Sequence, residues 1–166
     1  MANTHYAISG AIGAKLGETH AAAQFAPGTS VKGNNASEWL YVVAGGAIAQ
    51  YACVAVEFAG TASPVTHALA RTGNTIGVAQ NEIASGEYGW VAINGHSLRV
   101  NTLAAEGVGV TLYTTDTAGA LADATASGSA ATILGLTLVA TASGATASNA
   151  ACIMQTPVVR KTIVDA

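Results

Sequence analysis

Ionisable side chains are scarce in this 166-residue chain. Asp, Glu, Lys and Arg make up 9% of it, six basic against nine acidic, for a net charge of −3. Six scattered cations cannot build the dense positive patch that neutralises a phosphate backbone, so nucleic acid is excluded as a partner. A folded monomer of this mass exposes roughly 7,500 Å². That leaves one charge per ~500 Å², where a well-behaved small domain carries about 25–35% charged residues on its surface. Thr, Ser, Asn and Gly supply hydration in place of charge but resist association less well. The composition therefore points to a surface largely covered by other subunits, with a Thr/Ser-coated monomer as the plainer alternative.

Aromatic residues are few as well, 5% of the chain. Beyond Trp39, Tyr41, Tyr88 and Trp90 there is little material for a sugar- or base-stacking platform. Tyr88 and Trp90 share strand parity and read as core or interface packing. Two cysteines are too few for a disulfide framework. Cys53 and Cys152 fall in expected strands and read as small buried hydrophobes, with their pairing left open.

Long lipid-compatible runs are missing. The start, MANTHYAISGAIGAKLGETH, lacks a basic segment followed by an apolar one, so it does not read as a secretory signal. Trp39 to Val56 is uncharged, but Gly45-Gly46 and Gln50 interrupt it, Glu38 and Glu57 bound it, and no Lys or Arg flanks it. Ala124 to Val159 is uncharged too, yet Ala, Ser, Thr and Gly dominate it. No membrane partner is expected.

Catalytic and metal-binding patterns are equally sparse. GAIGAKLG (10–17) lacks the spacing of a phosphate-binding loop and follows no strand. There is no Gly-x-Ser-x-Gly elbow. His5, His20, His67 and His96 stand far apart, none with a second ligand at zinc-like spacing. Glu82 and Glu87 bracket a turn and read as solubilising charges rather than an acid–base couple. Asn35-Ala36-Ser37 matches a glycosylation acceptor, which carries no weight without a secretion signal. The sequence thus gives no enzyme, no cofactor and no metal site.

What is present is β-sheet text. Residues 1–35 have no sustained period and are punctuated by Gly10, Gly13, Gly17, Pro27, Gly28 and Gly33, which predicts an extended N-terminal arm. A helix there would lose about 1 kcal/mol per glycine relative to alanine. Residues 36–166 read as an all-β domain, a small antiparallel barrel or sandwich. Strands are expected at 38–44 and 48–58 around the Gly45-Gly46 break, with 59–64 as a loop. Further short strands fall at 65–70 and 75–80. A hairpin pairs 88–93 with 97–103 through Asn94-Gly95-His96, because Asn-Gly supplies the positive φ angles of a tight turn. Strands at 108–114, 132–141 and 150–159 complete the pattern. Ala/Ser/Thr/Gly tracts at 124–131 and 140–150 read as loops, with a short helix an option within 118–131.

The passage GVAQNEIASGEYGWVAING (77–95) and the later GVGVTLYTTDTAGALADA (107–124) resemble the small capsid decoration, or cement, proteins of tailed bacteriophages that carry a compact β-tulip domain. The resemblance covers Glu38 to Val159; the first 35 residues have no counterpart in it. It implies a virion structural protein, made in the host cytoplasm and bound as homotrimers to the outer capsid surface. There it would hold neighbouring capsomers of the major capsid protein together. Low charge suits such an interface, whose core is depleted in ions. The residues expected to form the capsid or subunit interface are Tyr6, Ile8, Ile12, Leu16, Phe25, Trp39, Tyr88 and Trp90. The alternative is a glycan- or receptor-binding β module of a phage fibre or spike, which would need an exposed aromatic cluster around Trp90. A minor shell or tail-tube subunit is a further option.

Overall fold

Glu38–Ala44 (EWLYVVA) sets a bulky apolar side chain on both faces of a strand, which requires cover on both sides. The computed structural model provides it. The structure describes residues 5–71, 74–104, 106–123, 130–142 and 148–161. Its strands are β1 (Ala7–Ser9), β2 (Ser30–Gly33), β3 (Glu38–Ala44), β4 (Cys53–Val56), β5 (Thr61–Pro64), β6 (Thr75–Ala79), β7 (Tyr88–Thr102), β8 (Leu112–Thr114), β9 (Leu121–Ala122), β10 (Ala131–Leu138) and β11 (Ser148–Lys161). The all-β expectation holds, and the sheet closes into a barrel of five strands with further strands joined to it.

The barrel runs β3–β5–β4–β6–β7 and back to β3. A parallel pairing of Val43 and Ala44 with Thr61 and Ala62 makes one join, and the antiparallel ladder from Glu38↔Asn94 to Val43↔Tyr88 makes the closing one. Five strands enclose a narrow space, and the side chains inside are correspondingly small: Val42, Ala44, Val54, Val56, Ala62, Ala79 and Val91. Ile48 and Ile83 close one end, bridged by two reciprocal backbone hydrogen bonds of 2.9 Å.

A second ring grows from the other half of β7. Residues 94–102 pair with β11, β11 with β10, β10 with β8 and β8 with β9, and Leu121 of β9 returns to Thr102. Leu98, Val100, Leu112, Leu121, Ile133, Leu136, Leu138, Cys152 and Met154 fill it. The same cluster includes Cys53, Ala55, Ile76 and Val78 from the outer face of the first barrel. Strand β4 is consequently buried at every position.

Five expectations change. The hairpin at Asn94-Gly95-His96 is instead the middle of the continuous strand β7. Gly95 (φ +129°) and Ser97 (φ +61°) do take the left-handed conformations that the motif offers, but they build a bulge. Leu98 faces Cys152 while Gly95 faces Met154, three residues against two. The chain runs straight on because β3 is available to one half and β11 to the other. Residues 59–64, read as a loop, contain β5, the strand that links β4 to β3. Residues 65–70, read as a strand, lead into a 3₁₀ turn at Leu69–Arg71, where the Ala70 N–H donates to the Thr66 carbonyl at 3.0 Å. In 48–58 only Cys53–Val56 is extended, because Tyr51 turns the chain at φ +64°. The helix option within 118–131 is replaced over 118–123 by a turn and β9; residues 124–129 lie outside the described set.

The arm, too, is drawn onto the barrel. β2 pairs with β3 and β1 with β2, so the 35/36 boundary falls inside a tight turn with Asn35 and Ala36 at φ +57° and +53°. Leu16 and Val31 are fully buried in the main core. The chain between them runs through turns and bends, with one bridge from His20 to Tyr88, and the surface it lies on is its own.

The β7 bulge leaves no room beside it. A Cβ at Gly95 would stand 2.5 Å from the Ser37 Cα. Gly95→Ala is expected to destabilise the fold by about 2–3 kcal/mol, from backbone strain and this clash together. Urea denaturation measures it; an unchanged midpoint would mean that the chain turns rather than bulges here.

Candidate functional site

The pairing of β3 with β7 sets Tyr41 opposite Trp90, Trp39 opposite Ala92 and Val43 opposite Tyr88. Tyr41 lies 4.9 Å from Trp90 and stacks on Tyr88 at 6.0 Å, and Phe25 meets Tyr41 edge-on at 5.4 Å. His20 Nδ1 and the Tyr41 hydroxyl share a hydrogen bond of 3.2 Å. The backbone of His20 bridges Tyr88, which fastens the N-terminal segment over the cluster.

This nest divides the expected interface residues. Leu16, Trp39 and Trp90 are at most 2% exposed, and Phe25 and Tyr88 are half-buried against the same core. Those five hold the N-terminal segment to the barrel, so the expectation of a partner interface is corrected for the three buried ones. A glycan platform at Trp90 is ruled out by the same burial. Tyr6, Ile8 and Ile12 are the three left outside, 56%, 64% and 98% exposed.

A cleft of about 930 Å³ opens where the N-terminal segment passes the second half of β7. Among the described residues Arg99 is its one formally charged residue. The guanidinium donates from Nε to Asn149 Oδ1 at 2.6 Å and from Nη2 to the Asn149 carbonyl at 3.2 Å. It lies 5.8 Å from the centre of the Tyr51 ring. Gln80 grips the Arg99 backbone, accepting from its N–H at 3.1 Å and donating to its carbonyl at 2.9 Å. His5 packs on Trp39 at 5.0 Å with its Nδ1 buried and without a hydrogen-bond partner among the described residues, and burial lowers its pKa. Of the residues that line the cleft, Leu16 and Trp39 alone were among the expected site residues. The signal is long-range: Arg99 and Asn149 are fifty positions apart.

Three other clusters carry ionisable groups. His67 Nδ1 is 2.8 Å from Thr114 Oγ1 and its Nε2 3.4 Å from Asp116. The order hydroxyl–imidazole–carboxylate is that of a nucleophilic relay. Thr114 is 1% exposed, however, and its oxygen accepts the Ala131 N–H at 2.9 Å, so it braces β8 against β10. Cys53 and Cys152 are free and buried, and burial pushes both thiols up to about 12, which keeps them protonated and inert. Glu106 is buried beside Asp123, accepting its N–H at 3.1 Å; burial, then the side-chain hydrogen bond between the two acids, raises the Glu106 pKa. Among the described residues no three His, Cys, Asp or Glu side chains gather as a metal site, and no helix is long and apolar enough to cross a membrane.

Comparison with family models, curated proteins and solved structures finds no match to this chain.

A raised carboxyl pKa makes the folded state hold its proton where the unfolded chain has lost it. The contribution of Glu106 to stability is full in acid and falls as pH rises through its folded value. Glu106→Gln is therefore expected to flatten the loss of stability on going from the ordinary glutamate range to neutral pH. Denaturation midpoints across that interval check it; parallel wild-type and variant curves would contradict it.

Proposed function

We propose that this protein decorates and stabilises the capsid of a tailed bacteriophage, binding as trimers to the outer shell and clamping neighbouring copies of the major capsid protein. The observation that carries the reading is a surface that is ordinary in size and poor in charge. The single chain exposes 7944 Å², close to the roughly 7,500 Å² of a monomer of its mass. Folding the aromatic residues inward thus does not account for the lack of ions. About 530 Å² of that surface falls to each charged side chain, several times sparser than a soluble domain of this size carries.

Tyr6, Ile8 and Ile12 are the contacts best suited to a partner. They project from the N-terminal segment, and β1 lies at one end of the strand order, with an edge that pairs with no other strand of the described chain. A lattice presenting many copies multiplies contacts that are weak one by one. The role is mechanical, holding capsomers together against internal pressure, with no chemical step.

Size-exclusion chromatography with light scattering is expected to give a trimer, and the protein is expected to co-sediment with tailed-phage heads stripped of decoration. Replacing Tyr6, Ile8 and Ile12 together by Ser should weaken attachment about tenfold or more while leaving thermal unfolding nearly unchanged, since all three are exposed. A strict monomer that ignores such heads at high concentration would overturn the proposal.

A further inference from the structure

We infer that the cleft beside Arg99 is a binding site for a carboxylate-bearing saccharide, a hexuronate unit of an acidic glycan. The inference does not rest on the capsid reading.

The charge pattern comes first. The protein is net negative, yet among the described residues no Asp or Glu lines this cleft. Among the described residues its single formal charge is the Arg99 guanidinium, with burial holding His5 toward its neutral form. That guanidinium is fixed in place by Asn149 on two nitrogens and lies near the Tyr51 ring, leaving Nη1 with no hydrogen bond among the described residues. A held guanidinium with an unused N–H is a ready acceptor site for one carboxylate. One such group does not suit a polyphosphate, which calls for several cations.

The remaining walls select for hydroxyls. Gln50, Asn81 and Asn149 border the cleft, and a carboxamide both donates and accepts, matching the dual character of a sugar hydroxyl. The volume, about 930 Å³, is enough for one to a few sugar rings.

Preorganisation completes the case. The Gln80 clamp on the Arg99 backbone fixes the strand just after the bulge. Two residues of the cleft, Tyr51 at φ +64° and Ser97 at φ +61°, hold left-handed backbone that non-glycine residues rarely adopt. Such strain concentrates at ligand sites, and here two instances meet at one cleft.

The test is a ¹H–¹⁵N NMR titration of the full chain with glucuronate and a tri-uronide, with glucose as the neutral control and an acetylated tetrapeptide bearing a free C-terminal carboxylate as the competitor. Shifts are expected at the Arg99 side chain, Tyr51 and Asn81, with glucose and the peptide at least about tenfold weaker than the tri-uronide. Arg99→Gln should weaken tri-uronide binding by about tenfold or more. Gly17→Phe blocks the site without touching Arg99: an added Cβ there meets only Asn81 Nδ2, at an ordinary 3.8 Å. It should abolish binding with an unchanged circular dichroism spectrum, and it decides the matter if the Arg99 variant fails to fold. Four results would overturn the inference: no shift at these residues up to about 10 mM ligand, equal responses to glucose and glucuronate, tighter binding of the peptide, or full binding by folded Gly17→Phe.

Discussion

The molecule depends on one strand passing through two rings. β7 closes a five-stranded barrel with its first half and a second ring with its second half, and the bulge at Gly95–Ser97 lets it change partners without stopping. Two consequences follow. The first barrel needs cover on its outer face, because the second ring leans on Cys53, Ala55, Ile76 and Val78. The interior of that barrel is built mostly from Ala and Val, with Ile48 and Ile83 at one end, because five strands enclose little space. The high apolar content of the sequence is therefore distributed over two cores rather than one large one.

The N-terminal segment solves what remains. β3 and β7 turn Trp39, Tyr41, Tyr88 and Trp90 outward from the first barrel, and the chain from His5 to Val31 packs against them. Burying aromatic rings supplies most of what ties such an irregular segment down, since each carries a large apolar area. The turn at Asn34–Ser37 does the rest. The Ser37 hydroxyl donates to the Asn34 carbonyl at 2.6 Å and accepts the Trp39 indole N–H at 2.7 Å, linking the turn to the nest. Once the segment is seated, its own apolar residues divide: Leu16 goes in, while Tyr6, Ile8 and Ile12 stay out. The Arg99 cleft is the gap left where this cover passes the bulge.

Local pattern made the all-β class and the course of β3, β6, β10 and β11 legible, because runs such as EWLYVVA and TILGLTL admit few other conformations. The Asn94-Gly95 motif shows the limit of local pattern. It correctly announced positive φ, but whether that conformation serves a hairpin or a bulge is decided by β3 and β11, which lie far away in sequence. β5 was illegible for a related reason: TASP has weak strand character and is held by its parallel neighbour. Among the interface residues, exposure could not be read from hydrophobicity, since Leu16 and Ile12 look alike in sequence and differ by four positions and nearly full burial. The polar wall of the cleft escaped notice, because Arg99, Asn149 and Tyr51 carry no motif and meet only through the fold.

Native-state hydrogen exchange along β7 tests the shared strand most directly. If the two rings form one cooperative unit, the hydrogen-bonded amides within 89–92 and within 98–101 will open with the same free energy and the same urea dependence. Exchange of 98–101 through a lower-energy opening that leaves 89–92 protected would show two independent units joined end to end, and the account of a single strand binding both rings would be contradicted.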